Sequence, residues 1–211
     1  MIKLFKAENR SIIENEHLRV NSMQNDNDKH SFSYIDDVAI NEYGKYKRSI
    51  LSDGYIILLP LLNDIRLDLE GFKWKIEVNQ VFIYYLEKGK TISIEGGNGF
   101  DFSYFITVFI PKEKFAINNV LLPIELKKDN ILKKIIRTDF LNVYIGKYNL
   151  SKTDVLPFKK ADRKWIVLSI TGVFEVHERL IESRDVIEIN GQQFVNFESL
   201  STESLLFVLE L

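Results

Sequence analysis

Residues 165–189 of the chain, WIVLSITGVFEVHERLIESRDVIEI, show its architecture most plainly. Side chains alternate in a β-branched run over residues 165–170, and Gly172 marks a turn before a second strand, which predicts a hairpin. The polar residues 182–185 and the Asn-Gly pair at 190–191 mark two further turns. Short strands at this spacing predict a barrel or a sandwich.

The N-terminal half contains two informative strand patterns. Residues 55–62 are almost wholly apolar, which predicts a strand buried on both faces, with Pro60 near a bulge or bend. From Asp64 to Glu70, charged and aliphatic residues alternate strictly, so we expect one wet and one buried face. Residues 129–137 carry isoleucine and leucine at helical spacing behind a candidate N-cap, and they predict a short helix.

Composition limits the function classes. The 211 residues are 45% hydrophobic, carry a formal net charge of −2 and contain no cysteine. This balance gives no general electrostatic attraction to nucleic acid, and no apolar run approaches the roughly 20 residues that span a bilayer. We therefore expect no nucleic-acid partner, no membrane partner and a cytoplasmic location.

The residues of the C-terminal half resemble the pirin-like bicupins. A Gly-x-Phe-Glu-Val strand, an Arg-Leu pair, an Arg-Asp turn and a final Leu-Leu-Phe-Val-Leu strand occur in the family's order. These matches are Gly172, residues 174–176, Arg179, Leu180, Arg184, Asp185 and residues 205–209. Similar segments precede them at residues 1–4, 6–7, 58–61, 109–111 and 122–126, so the resemblance spans essentially the whole chain.

The resemblance implies an all-β bicupin, with two double-stranded β-helix (jelly-roll) barrels in tandem. We predict an N-terminal barrel over residues 1–111, a connecting segment over 112–137 and a C-terminal barrel over 138–211. Each barrel would be built from short, mainly antiparallel strands.

Catalytic cupins hold iron, copper, manganese or nickel with a His-x-His pair, a glutamate and a third histidine. In the resembling family the pair falls just before the strand that begins here at Tyr55. This chain has KRSILSD at residues 47–53, and no histidine occurs between His30 and His177. We therefore predict no metal, no cofactor and no catalytic residue.

The three histidines have simpler interpretations than metal ligation. His17 and His30 flank a polar stretch without a spaced partner, which favours solvated surface positions. His177 alternates with Glu175, so the two side chains form either a carboxylate–imidazole pair or an ordinary charged strand end. We favour the strand end.

Seven residues are candidates for a ligand pocket. The polar ones are Lys47, Arg48, Arg66 and Asp68, which form either a binding site inside the first barrel or an outer solvated face with cross-strand charge pairs. The aromatic ones are Tyr84, Phe102 and Tyr104, which line an apolar pocket or belong to the barrel core.

The sequence favours a non-catalytic pirin-like protein that acts as a small-molecule-binding or regulatory interaction module. Its ligand or protein partner and its oligomeric state are open at this point. The alternative is a metal-dependent oxidoreductase of the quercetin 2,3-dioxygenase type.

Overall fold

A computed structural model of the chain describes residues 1–25, 31–97, 102–114, 119–126, 129–157 and 163–211. In these ranges the chain forms 21 β-strands and one short 3-10 turn, Ala7–Asn9, and it contains no α-helix. The strands pair antiparallel in four sheets. Among the described residues, no helix has the length and apolar character needed to cross a membrane.

The strands form two compact units. The first barrel is Arg10–Ile124, and the second barrel combines Met1–Asn9 with Glu125–Leu211. The chain passes between them twice, between Asn9 and Arg10 and between Ile124 and Glu125, so residues 112–137, predicted as a connecting segment, are divided between the two units. The N-terminus also differs from the predicted bounds, because strand β1 (Ile2–Phe5) pairs with strand β19 (Val186–Asn190) of the C-terminal half.

The first barrel consists of a seven-stranded and a four-stranded sheet. The larger sheet has the order β12 (Asn119–Pro123), β9 (Gln80–Leu86), β6 (Gly54–Leu62), β11 (Phe102–Pro111), β4 (Tyr34–Asn41), β3 (Leu18–Gln24) and β2 (Ser11–Glu14). The smaller sheet has the order β5 (Lys45–Ser49), β10 (Thr91–Gly96), β7 (Ile65–Leu69) and β8 (Phe72–Ile76). Apolar residues from both sheets share one core.

Two strand predictions for this barrel are confirmed. Strand β6 lies between β9 and β11, and its first seven residues are buried. Its pairing with β11 shifts by one residue next to Pro60, where the sequence predicted a bulge. Strand β7 buries its aliphatic residues and leaves Arg66 and Asp68 partly exposed, so one face is wet, as the alternation predicted.

The second barrel has the same two-sheet plan. Its larger sheet has the order β1, β19, β16 (Lys164–Thr171), β21 (Ser204–Glu210), β14 (Asn142–Tyr148) and β13 (Lys133–Arg137). Its smaller sheet has the order β15 (Lys152–Pro157), β20 (Phe194–Ser199), β17 (Phe174–Val176) and β18 (Arg179–Ile181). Residues from both sheets, Trp165 and Phe174 among them, form its core.

The predicted hairpin across Gly172 is wrong. Strand β16 belongs to the larger sheet and β17 to the smaller one, so the turn at Gly172, with φ of 85°, carries the chain between sheets. The hairpin lies one step later, between β17 and β18. His177 and Glu178 form its turn with φ of 47° and 59°, the left-handed values that a two-residue hairpin loop requires.

The helix predicted over residues 129–137 is also wrong. Residues Lys133–Arg137 form β13, which pairs with β14 and has a register shift between Lys134 and Ile136. This bulge explains the misleading pattern, because an extra residue in a strand breaks the period of two. Pairing with the sheet overrides a weak helical spacing.

Candidate ligand pocket in the first barrel

A fully buried carboxylate, Asp36, lies on β4 inside the first barrel. Its Oδ1 accepts a hydrogen bond of 2.5 Å from the Ser22 hydroxyl, and its Oδ2 accepts one of 2.6 Å from the Tyr46 hydroxyl. Arg48 Nη1 lies 3.4 Å from the same Oδ2. Ser22 and Asp36 belong to the larger sheet, whereas Tyr46 and Arg48 belong to the smaller one, so this Asp36 cluster bridges the two sheets.

Strand alternation places these side chains. In β5, Tyr46 is buried and Arg48 is partly buried, while Lys45 and Lys47 are exposed on the other face. In β4, Asp36 lies between the core residues Tyr34 and Val38 on the inward face. A period of two on both strands therefore brings an acid, a phenol and a guanidinium together in the interior.

Two aromatic rings hold the Arg48 side chain in place. Its Cζ lies 4.2 Å from the centroid of the Tyr34 ring. Tyr34 in turn stacks on Phe109, with 5.5 Å between centroids and 8° between planes. A cation above an aromatic face is attracted by the negative face of the ring, so this stack orients the guanidinium and covers one of its faces.

Burial determines the protonation of the two tyrosines. Removal from water raises the pKa of Tyr34 and of Tyr46, the Asp36 charge raises both further, and Arg48 partly opposes the rise. Both phenols are therefore neutral at neutral pH, and the Tyr46 hydroxyl is the one that donates to Asp36. Thr107 lies close enough to oppose the rise of the Tyr34 pKa slightly, but the hydroxyls of Tyr34 and Thr107 make no hydrogen bond of standard geometry among the described residues.

A cavity of about 90 Å³ opens beside Arg48 and the Tyr34 ring, and we call it the Arg48 pocket. Its walls carry four neutral polar side chains and two apolar ones besides this pair. They are Gln24, Ser33, Ser49, Ser52, Leu51 and Phe109. The described lining thus contains one cation and no carboxylate, since Asp36 lies behind it.

Of the four polar candidates, only Arg48 lines this pocket. Lys47 is exposed on the outer face of β5. Arg66 lies 3.7 Å from Glu95 on the next strand, within a row of cross-strand charges. Asp68 lies on the same outer face and accepts a hydrogen bond from the Gly71 amide. The structure therefore places Lys47, Arg66 and Asp68 on a solvated charged face.

The aromatic candidates are dispersed. Tyr84 packs against the core, stacks on Phe82 at 5.9 Å and lines a separate cavity of about 160 Å³. Phe102 is exposed at the start of β11. Tyr104 lies on the β11 face opposite to the core residue Phe105. No single described pocket joins these three rings.

The described histidines lie outside the Arg48 pocket. His17 Nδ1 contacts the Asn41 amide at 3.1 Å, and its Nε2 lies 3.1 Å from Glu16 in an exposed position. His177 occupies the β17–β18 turn and contacts the Phe194 carbonyl at 2.9 Å. His30 lies outside the described residues.

Sequence reasoning did not identify the centre of the site. Asp36 lies in the strand YIDDVAIN, where two acids interrupt an apolar run, and a charge inside a buried strand is the signal that was available. Tyr34 and Ser22 carried no such signal, because a tyrosine and a serine are ordinary in strands. Their roles come from neighbours that are distant in sequence.

The metal that the resemblance implies does not fit the residues present. Asp36 is the buried carboxylate of the cluster, and both of its oxygens already accept hydrogen bonds. Arg48 adds a positive charge beside this carboxylate, and the described residues of the pocket lining include no imidazole. Among the described residues, no group of three or more His, Cys, Asp or Glu side chains has a metal-binding arrangement.

Comparison with solved structures identifies the fold. YhhW from Escherichia coli has a TM-score of 0.80 at 14% identity, over 100% of this chain and 97% of that one. The bacterial pirin YhhW in complex with nickel(II) gives 0.80 at 16% identity, over 100% and 99%. A quercetin 2,3-dioxygenase from Acinetobacter baumannii gives 0.71 at 13% identity, over 99% and 84%.

The sequence comparisons return no relatives: no protein-family model matches the chain, and no curated protein does either. The structural likeness covers the whole chain, and at these identities it carries the fold alone. The chain therefore has the pirin-like bicupin fold that the residues of its C-terminal half predicted.

Proposed function

We propose that this chain, a bicupin by fold, is a non-catalytic binding module that takes a small molecule into the Arg48 pocket of its first barrel. The observation that carries the proposal is the Asp36 cluster. The oxygens of the buried Asp36 already contact Ser22, Tyr46 and Arg48. The pocket beside this cluster offers hydrogen-bond donors and a cation. Such a site supports recognition, and its described residues supply neither a free base nor a metal ligand set.

The size of the pocket supports the same proposal. Pockets that enclose drug-sized ligands have volumes of about 300–1,000 Å³. The Arg48 pocket has about 90 Å³, too little to enclose a molecule of the size of quercetin.

The alternative function is a dioxygenase of the quercetinase type, and the structural similarity to quercetin 2,3-dioxygenase supports it. A cytoplasmic location is part of the proposal.

An oxygen-uptake assay and a binding assay together test the proposed function. We expect the purified full-length chain to consume no oxygen with quercetin, with or without added iron, copper or nickel. We also expect some members of a library of small polar molecules to raise its thermal midpoint. The variant Ser52→Phe, which fills the pocket, should abolish that rise.

The matched control is Thr153→Phe, the same kind of enlargement on the exposed edge strand β15 of the second barrel. It should leave the ligand response as in the wild type. Quercetin-dependent oxygen uptake would establish the dioxygenase instead. A ligand response that survives Ser52→Phe would move the binding site away from the Arg48 pocket.

A further inference from the structure

We propose that the Arg48 pocket is an oxyanion site that takes the carboxylate group of a small organic acid on the guanidinium edge of Arg48. This inference rests on the proposed binding function and names the chemical class of its ligand. The structural basis is the composition of the lining, the unused donors of Arg48 and the size of the cavity.

The charge of the lining selects an anion. Arg48 is the charged side chain among the described lining residues, and the hydroxyls of Ser33, Ser49 and Ser52 and the amide of Gln24 surround it. Hydroxyls and amides can all donate hydrogen bonds to an oxyanion. Among these described residues, a cationic ligand would meet the positive guanidinium and neutral groups.

The Arg48 guanidinium has more N–H donors than its described contacts use. A guanidinium carries five N–H groups in one plane, and Tyr34 covers one face of that plane at 4.2 Å. The contact with Asp36, at 3.4 Å, engages one edge, and no other acceptor for Arg48 is found within the described ranges. The described residues leave the remaining edge open for the two parallel hydrogen bonds that a carboxylate accepts from arginine.

Asp36 orients the arginine without blocking it. Its oxygens are satisfied by Ser22 and Tyr46 at 2.5 and 2.6 Å, so its charge does not depend on Arg48 alone. Asp36 is fully buried and does not line the pocket. A ligand carboxylate would therefore meet the guanidinium before the acid, in a partly enclosed space where charge-assisted hydrogen bonds are strong.

Size restricts the acid. The cavity of about 90 Å³ is well below the roughly 300–1,000 Å³ of pockets that enclose drug-sized ligands. It therefore suits the carboxylate end of a small acid. The larger part of a longer acid would extend past Leu51, which is 83% exposed at the rim.

Calorimetric titration of the full-length protein with four probes tests the inference. The probes are acetate, oxalate, inorganic phosphate and acetamide, the last as the neutral analogue of acetate. Acetate and oxalate should bind, and acetamide should bind at least about tenfold more weakly, because it cannot form charge-assisted pairs. Binding should weaken with added chloride.

The variants separate Arg48 from its surroundings. Arg48→Gln should lower the oxalate affinity about tenfold or more, and Lys47→Gln, which removes the same charge from the outer face of the same strand, should leave it unchanged. Because Arg48→Gln leaves Asp36 with one partner fewer, the double variant Asp36→Asn/Arg48→Gln removes both charges together. It should fold, as far-ultraviolet circular dichroism can check, and bind no better than Arg48→Gln.

Four results would overturn the carboxylate site at Arg48. Equal losses in Arg48→Gln and Lys47→Gln, or equal affinity for acetate and acetamide, would overturn the oxyanion site. Phosphate binding without acetate or oxalate binding would overturn the carboxylate assignment. If neutral molecules bind in a way that Ser52→Phe abolishes while no anion binds, the oxyanion inference fails and the proposed binding function stands; oxygen uptake with quercetin would reject the binding function itself.

Discussion

The Tyr46 hydroxyl donates a hydrogen bond of 2.6 Å to Oδ2 of Asp36, and this contact joins the two sheets of the first barrel. A fully buried carboxylate loses its hydration shell, so its donors decide whether the charge can be kept there. Ser22 and Arg48 supply the other contacts. The Asp36 cluster therefore stabilises the barrel and also positions Arg48 at the pocket.

We expect Tyr46→Phe to lower the free energy of unfolding by about 1–3 kcal/mol, because it removes one donor from a buried charge while keeping the ring. Urea denaturation followed by circular dichroism measures the change. Tyr43→Phe is the control, since Tyr43 is 73% exposed and its loss should stay within about 0.5 kcal/mol. Equal midpoints for Tyr46→Phe and the wild type would show that Asp36 does not need this donor.

Asp185 ties the N-terminal segment to the second barrel. Its carboxylate accepts hydrogen bonds from Lys6 Nζ at 2.8 Å, from the Ala7 amide at 2.7 Å and from the Glu182 amide at 3.0 Å. Asp185→Ala removes all three, so we expect the free energy of unfolding to fall by about 2–4 kcal/mol in denaturant titration. Ligand binding in the first barrel should remain.

Glu182→Ala provides the comparison for Asp185→Ala. The Glu182 side chain is 64% exposed and lies 4.0 Å from Lys6, a weak surface pair. Its removal should change the free energy of unfolding by less than about 0.5 kcal/mol. If both variants lose the same free energy of unfolding, the Asp185 contacts do not hold the N-terminal segment in place.

The part of the fold that local pattern determines was predictable. The apolar run of β6 and the alternation of β7 each identify a strand and its buried face. Which strands pair with one another could not be predicted from local pattern. The strands on either side of Gly172 are adjacent in sequence and belong to different sheets, because a jelly roll passes its chain between sheets.

The residues of the site also differ in how far the sequence could predict them. Arg48 was predicted as a candidate, as one of the cations expected near the charged face of residues 64–70. Lys47, one residue away, was predicted with it, and only the register of β5 separates the inward arginine from the outward lysine. Asp36 was missed because its partners, Tyr46 and Arg48, meet it only through the packing of two sheets.

Four tyrosines should resist ionisation in the folded protein. Burial is the largest cause that raises the pKa of Tyr34, Tyr46, Tyr144 and Tyr148 above the ordinary value of 10.0. Below pH 10 these phenols are neutral in both states. As the pH rises above 10, the unfolded chain loses protons that the folded chain keeps, so stability should fall with rising pH.

Phenolate absorbance measures this effect. The chain has nine tyrosines, and at pH 11 the folded protein should show about four fewer phenolates than the same protein in guanidinium chloride. The variant Tyr148→Phe should leave the native absorbance unchanged and reduce the unfolded absorbance by one tyrosine. Full ionisation near pH 10 with an intact circular dichroism spectrum would contradict the burial of these hydroxyls.

The metal content of the purified protein bears most directly on the alternative function. A transition metal requires several deprotonated carboxylates or neutral imidazoles that converge with fixed geometry. The first barrel offers Asp36, whose oxygens are engaged by Ser22 and Tyr46 and which faces the positive Arg48. In the second barrel, His177 is engaged with a backbone carbonyl on a half-buried turn.

We therefore expect less than one tenth of an equivalent of iron, copper or nickel per chain, on the order of a contaminant. Prolonged dialysis against chelator should leave the thermal midpoint unchanged, and nickel(II) added back should not raise it, because no ligand binding to the folded state is lost or gained. Asp36→Asn is the informative variant. A stoichiometric metal that Asp36→Asn removes would mean that the carboxylate gives up its tyrosine and serine partners to a cation, and the dioxygenase would then replace the binding module.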